Sequence, residues 1–196
     1  EGIEIKTTRF FSGLFYIKLF NANPDGKYLF EINRIRDNYG YPDKNFKNCR
    51  VFNCSIYSNK TITIGAYLFK LYVDRHEQKV YLKVYDRKLK LINMDTFWSF
   101  DMLKEKLLKK LKFLAIVDVS NKIIDRKKYY KYNSFEFYKL KDFDNFIDLI
   151  EKGSIRITFK IGVFKNGPRI GTTHNHGTGF DIIRKDIKML YDIINY

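Results

Sequence analysis

Glu4, Ile5 and Lys6 place an acid and a lysine two positions apart in a run of alternating apolar and charged residues. If that run is a strand, its side-chain period of two turns both functional groups to one face. Such a pair can hold Mg2+ through the carboxylate while the ammonium sits beside an attacking water and a scissile phosphate. The metal lowers the pKa of the water and neutralises phosphate charge. The pattern alone is weak. Acid-x-Lys also starts at Asp25, Glu77, Asp86, Asp125 and Asp186, and each of these reads equally well as a solvated charge pair. Glu4 differs in lying between Ile3 and Ile5, directly before a second apolar run.

The second group of chemically useful residues is the stretch NGPRIGTTHNHGTG (166–179), which holds two of the three histidines. A glycine-rich loop with Arg169, His174, His176 and Thr178 suits a contact surface. Its side chains can read base edges in a groove while backbone amides meet phosphates. A zinc set of Cys49, Cys54, His174 and His176 has the right donors, but its spacing matches no usual finger. Lys109, Lys110 and Lys112 lie where a lysine-rich helix hands over to an apolar run, so a lysine there can point into a site at a sheet edge.

The charge balance supports a polyanion partner. The 196 residues carry 37 Lys+Arg against 22 Asp+Glu, a formal net charge of +15. Nucleic acid is the usual partner of such a chain. Global disorder is excluded by 18 Phe, 15 Tyr and one Trp, which need a core. No uncharged apolar run approaches a membrane span, and no signal peptide is evident. Two cysteines are too few for a disulfide scaffold, which predicts a reducing, cytoplasmic setting.

These residues need elements to hold them. Residues 2–6 and 10–20 read as strands, NANPDGK (21–27) as a turn, and 28–36 as extended or helical. DNYGYPDKN (37–45) reads as a loop. YLFKLYVD (67–74) and KVYLKVYD (79–86) form a hairpin across RHEQ. A helix over 101–112 gathers Leu103, Leu107, Leu108 and Leu111 on one face, with lysines in its last turn. FLAIVDV (113–119) is a buried strand followed by a polar loop. A helix over 139–153 stops at Gly153, a strand covers 155–164, and a terminal helix spans about 184–194. The pattern predicts one mixed α/β domain over 1–196 whose central sheet includes 2–6, 10–20 and 113–119.

Taken together, GIEIKT (2–7), RDNYGYPD (36–43), VDRHEQKVYLKVYD (73–86), FWSFDMLKEKLLKKLKFLAIV (97–117), FDNFIDLIEKGSIRITFKIGV (143–163) and HGTGFDI (176–182) resemble the MvaI/BcnI family of restriction endonucleases. The resemblance covers almost the whole chain. It implies a restriction-endonuclease-like α/β fold of the PD-(D/E)xK class, a mixed sheet flanked by helices. It also implies Mg2+-dependent hydrolysis of double-stranded DNA at a short, GC-rich, near-palindromic site, by a monomer that nicks one strand and then the other. A cognate DNA methyltransferase is implied as partner in the system, without physical contact. By the family motif Glu4 and Lys6 are catalytic, with Glu4 and the carbonyl of Ile5 as metal ligands, and Lys110 is a further active-site lysine. Arg9, Arg36, Tyr39, Arg169, His174, His176 and Thr178 are expected to contact DNA.

The family's first carboxylate is an Asp a few residues before the Glu of its motif. Here the chain begins at Glu1, so the expectation is a fragment lacking its amino-terminal segment. Two other readings stay open on sequence: a strand-nicking repair endonuclease similar to MutH, and a basic DNA-binding module without catalysis.

Overall fold

Apolar alternation and β-branched or aromatic content build most of this protein from strands. The computed structural model describes residues 2–8, 15–25 and 28–194. Thirteen strands, β1 to β13, and four helices, α1 to α4, are described. The strands form three sheets, ordered β1-β9-β10-β13, β2-β12-β11-β4-β3 and β5-β6-β7-β8.

The first sheet carries the Glu4 segment. β1 (Glu4–Thr8) runs parallel to β9 (Phe113–Ile124), with Glu4 opposite Leu114, Lys6 opposite Ile116 and Thr8 opposite Asp118. β9 turns back into β10 (Lys127–Leu140), and β13 (Tyr191–Ile194) closes the far edge. The parallel β1–β9 pairing needs a long crossover, and the strands between Tyr16 and Ser99 with the helices Tyr28–Tyr39 and Phe100–Leu111 lie in it.

The second sheet carries the histidines. β12 (Thr173–Ile183) pairs with β11 (Ile155–Val163) on one side and β2 (Tyr16–Asn21) on the other. β4 (Arg50–Ile56) and the short β3 (Tyr41–Pro42) complete it. The third sheet is a meander of β5 (Ile62–Ile64), β6 (Tyr67–Asp74), β7 (Lys79–Tyr85) and β8 (Leu91–Ser99).

One hydrophobic cluster joins the three sheets to the helices. α2 (Phe100–Leu111) packs on β2 and β8 through the buried Leu103, Leu107 and Leu111. α3 (Phe143–Glu151) is capped by Asp142, whose carboxylate accepts from the Asn145 amide at 2.7 Å. Phe20, Phe146, Phe180 and Trp98 meet ring to ring at its centre. The buried Trp98 indole donates to the Ala22 carbonyl at 3.0 Å, so the largest side chain of the core leaves no polar atom unpaired.

Several expectations need correction. Residues 16–20 belong to the second sheet, not beside 2–6; residues 10–14 lie outside the described ones. Residues 28–36 are helical, and α1 (Tyr28–Tyr39) absorbs the start of the expected loop before Gly40 stops it. Leu108 is 45% exposed and is not part of the buried face. The polar stretch after 119 is not a loop but a continuation of β9. Residues 173–179 are strand, because β11 offers ladder partners along the stretch and β2 joins at Gly179, which together outweigh the local preference of Gly177 and Gly179 for a loop. The terminal segment is not one helix. A single 3-10 turn (Arg184–Asp186) and the four-residue α4 (Ile187–Leu190) give way to β13, where β10 supplies a free edge for Ile193 and Ile194.

Candidate active site

Glu4 and Lys6 share one face of β1, as their spacing requires, and the Lys6 ammonium lies 2.6 Å from the Glu4 carboxylate. Both side chains are partly open to solvent. Ile5 points the opposite way and is exposed. On the Glu4 face the neighbouring β9 side chains Leu114 and Ile116 are buried, so the pair sits on an apolar floor.

Farther along the same face, the Thr8 hydroxyl donates to the Asp118 carboxylate, and the Ser134 hydroxyl reaches the other Asp118 oxygen at 3.2 Å. Asp118 was not singled out in the sequence; its signal was its even spacing from Leu114 and Ile116 on an apolar strand. The third strand adds Glu136, opposite Ile116 and paired with Arg184, and Tyr138, which accepts from Arg184 at 3.3 Å. The buried Tyr191 hydroxyl has no hydrogen-bond partner among the described residues. Burial pushes its phenol well up, and the Glu4 charge adds to that shift.

Lys110 is exposed on the last turn of α2, four residues before Leu114. No hydrogen bond or ion pair joins it to Glu4 or Lys6 among the described residues. A shallow cleft of about 370 Å³, lined by Lys6, Thr8, Tyr16 and Lys18, leads from this face to β2.

The second sheet brings the histidine residues into a column. The Arg169 guanidinium lies 4.1 Å from the Phe164 ring centre, Phe164 stacks on His174 at 4.0 Å, and His174 meets His176 at 3.8 Å. Desolvation holds the His174 imidazole below its ordinary pKa, and the nearby His176 and Arg169 charges lower it further. His176 faces a groove lined also by Asp43, Asn53, Ser55, Lys160 and Lys165. Arg36 reaches the start of the same strand and donates to the Thr173 hydroxyl at 2.8 Å, while also forking onto Asp37.

Two expected contact residues sit differently. Tyr39 is half-buried, packed edge-on against Tyr67 and Phe69 at 5.0 and 5.7 Å. Thr178 is 1% exposed, and its hydroxyl has no hydrogen-bond partner among the described residues, so it does not open to the surface. Arg9 lies outside the described residues. A polar cluster that the sequence reading missed adjoins the column: Thr158 donates to Asp181 at 2.7 Å, and Arg156 bridges Asp181 and Tyr57 at 3.3 Å each. Strand register alone would have paired Arg156 with Asp181.

The MvaI/BcnI restriction endonuclease family model matches residues 1–191. The chain belongs to that family. Two solved structures of MvaI are similar at 30% identity, each covering 98% of this chain and 77% of the MvaI chain. The complex of MvaI with its cognate DNA superposes with a TM-score of 0.88, and MvaI in the absence of DNA with 0.73. No curated protein sequence matches the chain. As a MvaI/BcnI family member with this fold, the protein is a sequence-specific DNA endonuclease of the type II restriction class. Among the described residues no helix is long and apolar enough to cross a membrane.

Proposed function

We propose that Glu4 and Lys6 form a Mg2+-dependent centre that hydrolyses double-stranded DNA at a short, GC-rich, near-palindromic site, one strand at a time. The carrying observation is the Glu4–Lys6 pair itself: a carboxylate and an ammonium 2.6 Å apart, partly open to solvent, beside the buried Leu114 and Ile116 of β9.

The donor set fits Mg2+. Glu4 offers a carboxylate and Ile5 a backbone carbonyl, both hard oxygen donors, and Mg2+ keeps waters and takes phosphate oxygens at its other positions. The ion supplies a water of lowered pKa and neutralises charge on the phosphate. Lys6 orients that water and stabilises the charge that develops on the phosphoryl oxygens. Lys110, at the α2 terminus, contributes positive potential to the same phosphate.

Arg36, Arg169, His174 and His176 read the site from the groove side. Arginine forks favour guanine, which supports a GC-rich sequence. Arg9 and Tyr39 add to the DNA grip, and the buried Thr178 lies in β12 two residues after His176. One Glu4–Lys6 pair cuts one strand per engagement, and a near-palindromic site then presents the second strand to the same monomer. The setting is cytoplasmic, with a cognate DNA methyltransferase protecting host sites.

The test is supercoiled plasmid incubated with the full-length protein and Mg2+. Discrete fragments are expected, with nicked circles appearing before linear DNA. Chelation should stop cleavage while gel-shift binding persists. Cutting in excess chelator, or fragments without defined ends, would overturn the proposal.

A further inference from the structure

The β9–β10 ribbon runs far beyond the sheet that anchors it. Every residue from 120 to 135 is exposed. The ribbon closes with a two-residue turn at Asp125 and Arg126, both at positive φ, as a type I′ hairpin requires. A two-stranded hairpin with neither face covered is marginal in water, so these residues are built for a partner.

Strand alternation gives the ribbon two unlike faces. On one lie Ser120, Lys122 and Ile124, opposite Lys131, Tyr129 and Lys127. On the other lie Val119, Asn121 and Ile123, opposite Tyr132, Tyr130 and Lys128. The first face is continuous along β9 with Ile116 and Asp118, which stand opposite Lys6 and Thr8. The lysine face and the Glu4–Lys6 pair therefore belong to one side of one sheet. Between residues 120 and 135 the cations are Lys122, Arg126, Lys127, Lys128 and Lys131, against one acid, Asp125. No carboxylate pairs with Lys122, Lys127 or Lys131 among the described residues.

From Ile116 to Ile124 the strand advances about 26 Å at 3.3 Å per residue. Duplex DNA of that length presents about 15 phosphate charges. We infer that the β9–β10 ribbon is a DNA arm whose Lys122, Lys127 and Lys131 lie along the phosphate backbone beside the scissile bond. The inference rests on the nuclease reading above and adds to it a sequence-independent contact outside the histidine groove. Charge complementarity selects DNA over a second copy of this chain, whose own net charge of +15 would repel the arm.

The test compares the full-length wild type with the triple variant Lys122→Ala, Lys127→Ala, Lys131→Ala, and with Lys128→Ala from the opposite face. Binding to a 30-base-pair duplex of arbitrary sequence is measured without divalent metal over a range of salt. Each lost phosphate contact removes about 0.9 from the log–log salt slope, so the triple variant should be shallower by about 2.7. Lys128→Ala should leave the slope unchanged, and thermal melting should not move in either variant. A triple variant with the wild-type slope, or a Lys128→Ala change as large as the triple one, would overturn the arm. A wild type that fails to bind the duplex would overturn the nuclease reading and the arm together, a distinct result.

Discussion

The Lys6 ammonium lies 2.6 Å from the Glu4 carboxylate, closer than two flexible surface side chains need to be. The acid holds the lysine over the face of β1 where a metal-bound phosphate would lie. Lys6→Ala should therefore reduce cleavage by about 10²–10³ or more, the usual loss for one preorganised donor at a reacting oxygen. DNA affinity without metal should change little. Single-turnover plasmid cleavage and gel-shift binding, measured side by side, decide it; a Lys6→Ala protein that cuts at the wild-type rate removes Lys6 from the mechanism.

His176 is exposed and faces the groove, while the half-buried His174 stacks between it and Phe164. A bidentate base contact is worth about 1–3 kcal/mol of discrimination, and a single imidazole contact falls at the lower end of that range. His176→Ala should thus lower the ratio of cleavage at the preferred site to cleavage at one-base variants by about 10-fold or more. Affinity for arbitrary duplex should hold. Sequencing of cleavage ends from wild type and variant gives the ratio, and an unchanged site preference would place base reading elsewhere.

The His174 column has a pH signature. Its folded-state pKa is below the ordinary 6.5, so the unfolded chain takes up this proton first as pH falls. The stability tied to His174 is complete above pH 6.5 and declines on acidification through the window below it. In an NMR titration His174 should stay neutral to lower pH than an unperturbed histidine. His176→Gln should move its midpoint upward by removing one repelling charge, without restoring it fully, because desolvation is the larger cause. A His174 midpoint above 6.5 would contradict the column.

Elements that bury one face against the core were legible in the sequence. The 67–74 and 79–86 hairpin, the 101–112 helix and the 155–164 strand all keep a periodicity that tertiary contacts reinforce. The ribbon after 119 was not legible, because both its faces meet solvent and neither period is imposed on it; its turn also lacks glycine. The terminal segment failed for the opposite reason. Leu190 and Tyr191 suit a helix stripe as well as a strand, and only the free edge of β10 decides between them. At the site, Glu4 and Lys6 followed from a period of two. Asp118 and the Arg156–Asp181 pair depend on which strands become neighbours, which local pattern does not encode.

Leu107 and Leu108 test the α2 register. Leu107 is fully buried, whereas Leu108 is 45% exposed. Leu107→Ala should cost about 2–5 kcal/mol through lost contacts and a cavity. Leu108→Ala should stay within about 0.5 kcal/mol. Denaturant unfolding of the two variants provides the comparison, and equal costs would mean that the helix is rotated from the face described.

Gly40 connects the stability of α1 to the strand that carries the histidines. Its amide donates to the Arg36 carbonyl at 2.8 Å, ending the helix. A Cβ at this position would strike backbone oxygens on both sides, that of Arg36 and, at 2.7 Å, that of Val51 in β4. Neither can swing aside as a side-chain tip would, so Gly40→Ala should cost about 1–3 kcal/mol by overpacking. Gly162→Ala is the control: its nearest neighbour would be 3.9 Å away, and it should be neutral or stabilise by about 0.4–1 kcal/mol. The strain at Gly40 falls on the turn that carries Arg36, whose guanidinium donates to Thr173 at 2.8 Å. Gly40→Ala should therefore also weaken site preference at temperatures where the variant remains folded. Unfolding curves and cleavage-end sequencing on the same preparations separate the two effects. A Gly40→Ala protein as stable as wild type would show that α1 and β4 are not in the contact described.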